Sequence, residues 1–399
     1  MAIDPGRPPV TSDRVSDSPR LLIPVLAAAN VVVGLNAFLV IGVIEPLAGG
    51  FEVSEAAAGR LLTTYALSYA LLSPLLVALT GRLGRRRVLA GGMMVLGLAT
   101  ALSALSPALV PLHLTRILAA IGAGVITPVT AAVAAGLVAE DHRARAIAAV
   151  IAGLTIAQAV GVPVGTWLGY TFGWRLAFWL VAALALPAAW LLWVTVPKGL
   201  RFTPVSLSDL GRVLATPPQM AAILFTATFL GATFLLYTYL APLLTQEQGV
   251  SQSGVSVLLF VYGLGAVAGN LLGGAATDRV GPRRMLTGLC LLQIPLLTVF
   301  SALPLPLVAV YALVGAWSLS GWSFGAAQQV RLLKIAPERA QVLFALNAAC
   351  IYLGISLGSY AGGAVLSRFG PGALGIAAAI GIALALLHLL LSDRATRRA

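Results

Sequence analysis

Asp278-Arg-Val-Gly-Pro-Arg-Arg284 and Gly81-Arg-Leu-Gly-Arg-Arg-Arg87 are one short basic stretch met twice in a chain of 399 residues. Gly84 and Gly281 stand 281 − 84 = 197 residues apart. Asp141 in Glu-Asp-His-Arg and Glu338 in Pro-Glu-Arg keep the same offset, 338 − 141 = 197. Both copies of the basic stretch sit between long apolar runs, so one membrane unit has been built twice in the same orientation. Parallel repeats of this kind relate the two halves of a large class of secondary transporters. The repeat therefore points to movement of a solute across a membrane.

Composition sets the solvent. The chain is 59% hydrophobic and 10% charged, with a mean hydropathy of +0.96. A water-soluble domain carries about 25% charged residues, so the bilayer must cover most of this surface. Each spanning segment is then expected to be a helix of roughly 20 residues with its backbone bonded internally. The net charge of +12 does not imply nucleic acid, because the cations lie in short gaps between apolar runs. One set of gaps holds 21 Lys and Arg residues, and the other holds only Arg60, Arg175 and Arg368. That asymmetry follows the positive-inside rule and predicts both termini in the cytoplasm. Cys290 and Cys350 lie within apolar runs and read as small buried residues.

Twelve spans are predicted, at roughly 21–48, 57–79, 88–106, 109–138, 145–169, 174–196, 218–245, 253–277, 285–303, 305–333, 341–367 and 373–392. The expected fold is all-α, with twelve transmembrane helices in two pseudo-symmetric six-helix bundles. Residues 1–20 read as a cytoplasmic tail rather than a signal peptide. Residues 21–196 form the N-terminal bundle, 197–217 a cytoplasmic linker, 218–392 the C-terminal bundle and 393–399 a second tail. Gly161, Gly165 and Gly169 fall on one helical stripe, as do Gly354, Gly358 and Gly362. Small residues let helices approach closely in lipid. The stripes are therefore close packing surfaces, or the surfaces on which the two bundles rock.

The chain resembles the major facilitator superfamily along essentially its whole length. The loop after span 8 carries Gly274, Asp278, Arg279, Gly281 and Arg283, in the pattern G-x-x-x-D-R-x-G-x-R. The loop after span 2 keeps Arg82, Gly84, Arg85 and Arg86, with Gly81 in place of the acid. Arg116 in span 4 is followed by Gly122 and Gly124, and span 5 carries Gly161-Val-Pro163-Val-Gly165-Thr-Trp-Leu-Gly169. This looks like the antiporter helix of the drug:proton branch. Its form, with Tyr237 to Leu244 and Asn347 to Gly358, is similar to the arabinose/sugar-efflux and chloramphenicol-resistance subgroup. The resemblance implies a bacterial inner-membrane protein that acts as a monomer and exports drug-like or sugar-like molecules in exchange for protons. It also implies that the basic loops and the Gly161–Pro163–Gly165 segment take part in gating.

Candidate site residues follow. Arg116 lies six or seven residues inside the outer end of span 4, about 9–10 Å deep at 1.5 Å per residue. A charge at that depth faces the bundle interior and takes a partner. The expected pair is Glu45–Arg116, loading and releasing a proton with His113 one turn outward. The alternative is a wet helix-end carboxylate and an interface histidine. Relatives place an acid deeper in span 1, where this chain has Asn36, which leaves uncoupled transport open. Substrate contacts are expected from Asn30, Asn36, Tyr65, Gln158, Tyr237, Tyr239 and Tyr262. On the C-terminal side they are expected from Asn270, Trp317, Trp322, Gln328, Gln329, Asn347 and Tyr352. Amides and aromatics without a deep acid suit a neutral or weakly polar organic molecule.

No phosphate-binding loop, Cys/His cluster or H-E-x-x-H motif occurs, and the histidines are only His113, His142 and His388. No cofactor, metal or enzymatic activity is expected. The leading reading is a proton-coupled exporter working by alternating access. The alternatives are an uncoupled facilitator or importer of a small neutral solute and, from another class, a non-transporting membrane sensor or scaffold.

Overall fold

A computed structural model describes residues 19–136, 138, 143–200 and 207–398. Asp141 of the repeat lies outside the described residues, as do most of the predicted N-terminal tail and part of the linker. The side chains of Arg82 and Glu338 are not described either.

Twelve helices among the described residues are long and apolar enough to cross a membrane. Spans 1 to 6 are Leu21–Gly42, Glu55–Leu79, Arg85–Ala104, Leu109–Gly136, Ala146–Phe172 and Trp174–Thr195. Spans 7 to 12 are Pro217–Gln246, Gln252–Val280, Pro282–Ala302, Leu307–Ile335, Val342–Phe369 and Pro371–Thr396. The twelfth helix does not stop at 392 but runs on through Arg398. Between the halves, Leu207–Leu214 is a short helix in the linker.

The repeat is visible in the turns. Gly173, between spans 5 and 6, has φ +92°, and Gly370, between spans 11 and 12, has φ +79°. They are again 370 − 173 = 197 residues apart. A positive φ is cheap only for glycine, so both halves make this outer turn in the same way.

Several spans are broken. After span 1 the chain restarts at Val43 as a short helix, Ile44–Phe51. Span 7 breaks at Thr238–Tyr239 into Pro217–Tyr237 and Leu240–Gln246. Span 10 breaks at Ser323. Span 5 has a π-helical turn, Ala157–Gly161, before it resumes as Val162–Phe172. π-turns inside helices occur often at functional sites.

Within each half, span 5 packs on span 1 and span 11 on span 7. The glycine stripes form these seams. A Cβ at Gly165 would meet Leu39 within the N-terminal half, and one at Gly354 would lie 2.7 Å from Ala227 O within the C-terminal half. The stripes therefore do not form a rocking surface between the halves. They weld spans inside each half, because their glycine faces point to the neighbouring helix of the same bundle.

Candidate functional site

Between the halves, spans 2 and 11 and spans 5 and 8 run against each other. The side-chain hydrogen bonds that cross this boundary among the described residues lie at the outer ends and middle levels, where outer means the arginine-poor face. Gln246 Nε2 donates to Glu55 Oε1 at 2.7 Å, and Thr245 Oγ1 donates to Glu45 Oε1. Deeper, Ser359 Oγ donates to Gly59 O at 3.1 Å and Ser356 Oγ to Thr63 O at 3.2 Å. Near the middle, Tyr69 stacks on Tyr352 at 3.7 Å, and Asn270 Nδ2 donates to Thr155 Oγ1 at 3.2 Å. The outer side is thus closed by direct contact.

Arg116 is fully buried, and its partner is not Glu45. Its Nη1 donates to Asn36 Oδ1 at 3.0 Å and its Nη2 to Asn36 O at 2.7 Å. The guanidinium lies 4.4 Å from the centre of the Tyr65 ring and 5.9 Å from that of Phe178. Asn36 Nδ2 in turn donates to Thr100 Oγ1 at 2.5 Å. The expected Glu45–Arg116 pair is corrected by the break at Val43, which swings Glu45 away from span 4. There Glu45 accepts from Tyr170 OH at 2.8 Å and from Thr245 across the halves. It lies in an outer depression with Glu52, Ser54, Glu55 and Gln246. His113 Nδ1 sits 2.7 Å from Thr64 Oγ1.

The neutral partnership of Arg116 is testable. A hydrogen bond to a charged group contributes about 1.5–3 kcal/mol. Asn36→Ala removes one of the two acceptors and should cost about 2 kcal/mol of stability by that measure. Asn36→Asp, which supplies an anion at the same place, should not. Melting of both variants in detergent checks this; equal melting of Asn36→Ala and wild type would exclude the bond as a significant contributor.

The substrate candidates divide by whether their polar atoms are already used. Gln328 Nε2 donates to Ala222 O at 2.8 Å and to Thr226 Oγ1 at 3.0 Å, and Thr226 donates to Asn347 Oδ1 at 2.5 Å. Gln328 and Asn347 therefore tie spans 7, 10 and 11 together. Asn30 Nδ2 donates to Leu26 O and to Thr130 Oγ1, both at 2.9 Å, while its Oδ1 is buried without a partner, and Gln329 is exposed. Tyr239 OH donates to Ser359 O at 3.0 Å, and its ring lies where a Cβ on Gly59 or Gly363 would have to go. It is a wedge in the outer closure.

A second set is buried with polar atoms unused. Gln158, on the π-turn, is 1% exposed and neither its Oε1 nor its Nε2 has a hydrogen-bond partner. The Tyr65 hydroxyl and the Trp317 indole N–H are likewise buried without one. Trp317 belongs to an aromatic group in spans 7, 8 and 10. Tyr237 stacks on Tyr262 at 4.1 Å, Tyr262 is 5.1 Å from Trp317, and Trp322 Nε1 donates to Tyr262 OH at 3.2 Å. Buried polar groups are nearly always bonded, so these unused atoms mark where a ligand or water would be accommodated.

At the inner face, Gly281 has φ +82° and turns the chain into span 9. Asp278 and Arg279 are exposed, Gly274 has open space around it and Arg283 reaches Asp393 at 2.9 Å. Arg331 also binds Asp393, at 2.8 Å. Arg85 is buried at the start of span 3, after Gly84. Pro163 sits in the first turn after the π-turn. Tyr170, Thr245, Arg331 and Asp393 were not among the sequence candidates.

The family model described as Major Facilitator Superfamily matches residues 26–251 and 222–399. The chain belongs to this superfamily. It is 33% identical over 370 residues to the inner membrane transport protein YdhP of Escherichia coli O157:H7, covering 91% of this chain and 93% of that protein. It is 32% identical over 302 residues to a chloramphenicol resistance protein of Streptomyces lividans, covering 74% and 77%. Its fold is that of a bacterial homolog of the human lysosomal transporter Spinster, solved in an inward-facing and occupied conformation, with a TM-score of 0.75 at 20% identity over 94% of this chain and 97% of that one. It is a multi-pass membrane transporter, not an enzyme.

Proposed function

We propose that this transporter exports small, weakly polar organic molecules by alternating access and takes up protons in exchange, with both termini on the inner side. The observation that carries the substrate reading is the buried set with unused polar atoms: the Gln158 amide, the Tyr65 hydroxyl and the Trp317 N–H. Two are donors only or donor–acceptor groups on rings, one is an amide, and none is an acid. Similarity to a chloramphenicol resistance protein supports export of a drug-like compound of that kind.

Proton exchange is assigned to Glu45, acting through the outer closure rather than through Arg116. As a carboxylate it accepts from Tyr170 and, across the halves, from Thr245. Hydrogen bonds to an ionised acceptor are about twice as strong as neutral ones. A proton arriving from outside weakens this latch and favours opening to the outside. When the inner side closes instead, Asp278, Arg279 and Arg283 are the groups that hold it.

Inside-out vesicles with an acid interior, read by a pH-sensitive dye, test both claims. Adding amphenicols, sugars or nucleosides should release protons in wild type and at least tenfold less in Glu45→Gln. Equal release in both would remove Glu45 from the proton path. Substrate movement without proton release would favour the second reading, an uncoupled facilitator. The neutral Asn36 facing Arg116 is the observation in its favour.

A further inference from the structure

The internal repeat exposes a difference between the halves at their inner ends. In the C-terminal half Arg283 and Arg331 share Asp393, at 2.9 and 2.8 Å. The positions 197 residues earlier are Arg86, Ala134 and Val196 (283 − 197, 331 − 197 and 393 − 197). Asp278 likewise corresponds to Gly81. Of the cluster, only the arginine survives.

Arg86 has found a different neighbour. Its guanidinium lies 4.3 Å from the centre of the Trp193 ring near the end of span 6, and its Nε is buried without a hydrogen-bond partner. Arg87 beside it is exposed, and among the described residues no carboxylate pairs with either. Trp193 is 46% exposed, and Trp190, one turn earlier, is 64% exposed. The Arg85 backbone N–H donates to Leu200 O at 3.3 Å, so the segment after span 6, with the exposed Lys198, folds back onto the start of span 3.

We propose that this edge holds the phosphate of an anionic phospholipid of the inner leaflet, with Arg86 and the exposed Arg87 as its ligands and Trp193 as the platform beneath Arg86. A guanidinium lying against an indole keeps N–H groups at its edge for an acceptor, and its fork matches a phosphate. Indole rings sit at the headgroup level of a bilayer, and juxtamembrane arginines attract anionic lipids. The headgroup supplies in this half the negative charge that Asp393 supplies in the other. Free phosphate offers the same chemistry to the arginines. The exposed Trp190, Trp193 and Val194 add an apolar flank that only a lipid uses.

The test is native mass spectrometry of the purified full-length protein in detergent, with phosphatidylglycerol and phosphatidylcholine at equal concentration. Wild type should retain phosphatidylglycerol severalfold over phosphatidylcholine. Arg87→Gln, at an exposed position, should lower that preference by half or more. Val196→Asp should abolish it, because the restored acid occupies Arg86 from within. Equal retention of the two lipids by wild type would overturn the proposal, as would an unchanged preference in the variants. If Val196→Asp does not fold, Arg87→Gln decides. Inorganic phosphate raising the melting temperature of wild type as much as phosphatidylglycerol does would also overturn it, in favour of a free-anion site. None of these outcomes depends on the transport reading.

Discussion

Asp393→Ala should lower stability by about 3 kcal/mol, the low end of the cost of breaking a buried ion pair by removing one partner. Asp393 stands at the inner end of span 12, where two arginines converge on it. Arg331 contributes Nε at 3.0 Å and Nη2 at 2.8 Å, both to Oδ1, and its side chain is only 5% exposed. Arg283 approaches Oδ2 at 2.9 Å from a side chain 48% exposed, so its share is screened and small. Without the acid, Arg331 keeps Ser392 Oγ at 2.9 Å and weak contacts to Ala222 O at 3.4 Å and Gln328 Oε1 at 3.5 Å. Those neutral acceptors are why the low end of the range applies. Asp393→Asn keeps one acceptor and should lose about half as much by the same reasoning. Pairing Asp393→Ala with Arg331→Leu removes the stranded charge and should recover most of the loss. Thermal melting of the three variants measures this. A harmless Asp393→Ala would mean that water reaches Arg331 from the inner face.

That acid shows what the sequence made legible and what it did not. Hydropathy found the twelve spans because lipid leaves the backbone no other solution, and the 197-residue offset found the two halves. Yet hydropathy ends a span at the first charge, so it assigned Asp393 to a tail although the helix continues to Arg398. The depth of Arg116 was legible, since a lone cation in an apolar run must turn inward. Its partner was not, because a search for a counter-ion passes over Asn36, a neutral group two of whose oxygens face the guanidinium. The position of Glu45 was lost at the break at Val43. A signal for it exists: Pro46, Pro242 and Pro163 each fall in the first turn of a helix that restarts after an interruption, where a missing N–H costs least. Pro74 and Pro128, by contrast, lie within continuous helices, so proline alone does not locate a break. The glycine stripes were legible as faces, but spacing along one helix does not name the neighbour. Gly161 and Gly358 could have met the other half; packing gave them Leu35 and Gly231 within their own.

A glycine that does lie between the halves, facing backbone rather than a side-chain tip, is Gly263 in span 8, and Gly263→Val should reduce transport tenfold or more while leaving the protein folded. A Cβ at this position would fall inside van der Waals contact of Ala159 Cα on span 5, with Ala159 Cβ at 3.0 Å. The obstacle is backbone, so no rotamer change relieves it. Overpacking of this kind costs about 1–3 kcal/mol. Because the contact joins the two bundles, the cost falls on the arrangement with spans 5 and 8 in contact rather than on either bundle. A penalty of about 2 kcal/mol shifts a two-state equilibrium about thirtyfold at 1.36 kcal/mol per tenfold, and alternating access needs both states populated. Gly358→Val makes the contrast. Its added atoms would drive into Gly231 O within the C-terminal half, so its effect should appear as lost expression and lower melting temperature. Substrate flux in vesicles, normalised to protein that elutes as a single folded peak, separates the two. Wild-type flux in Gly263→Val would show that spans 5 and 8 part without cost, and would move the critical contact to spans 2 and 11, where Tyr69 stacks on Tyr352.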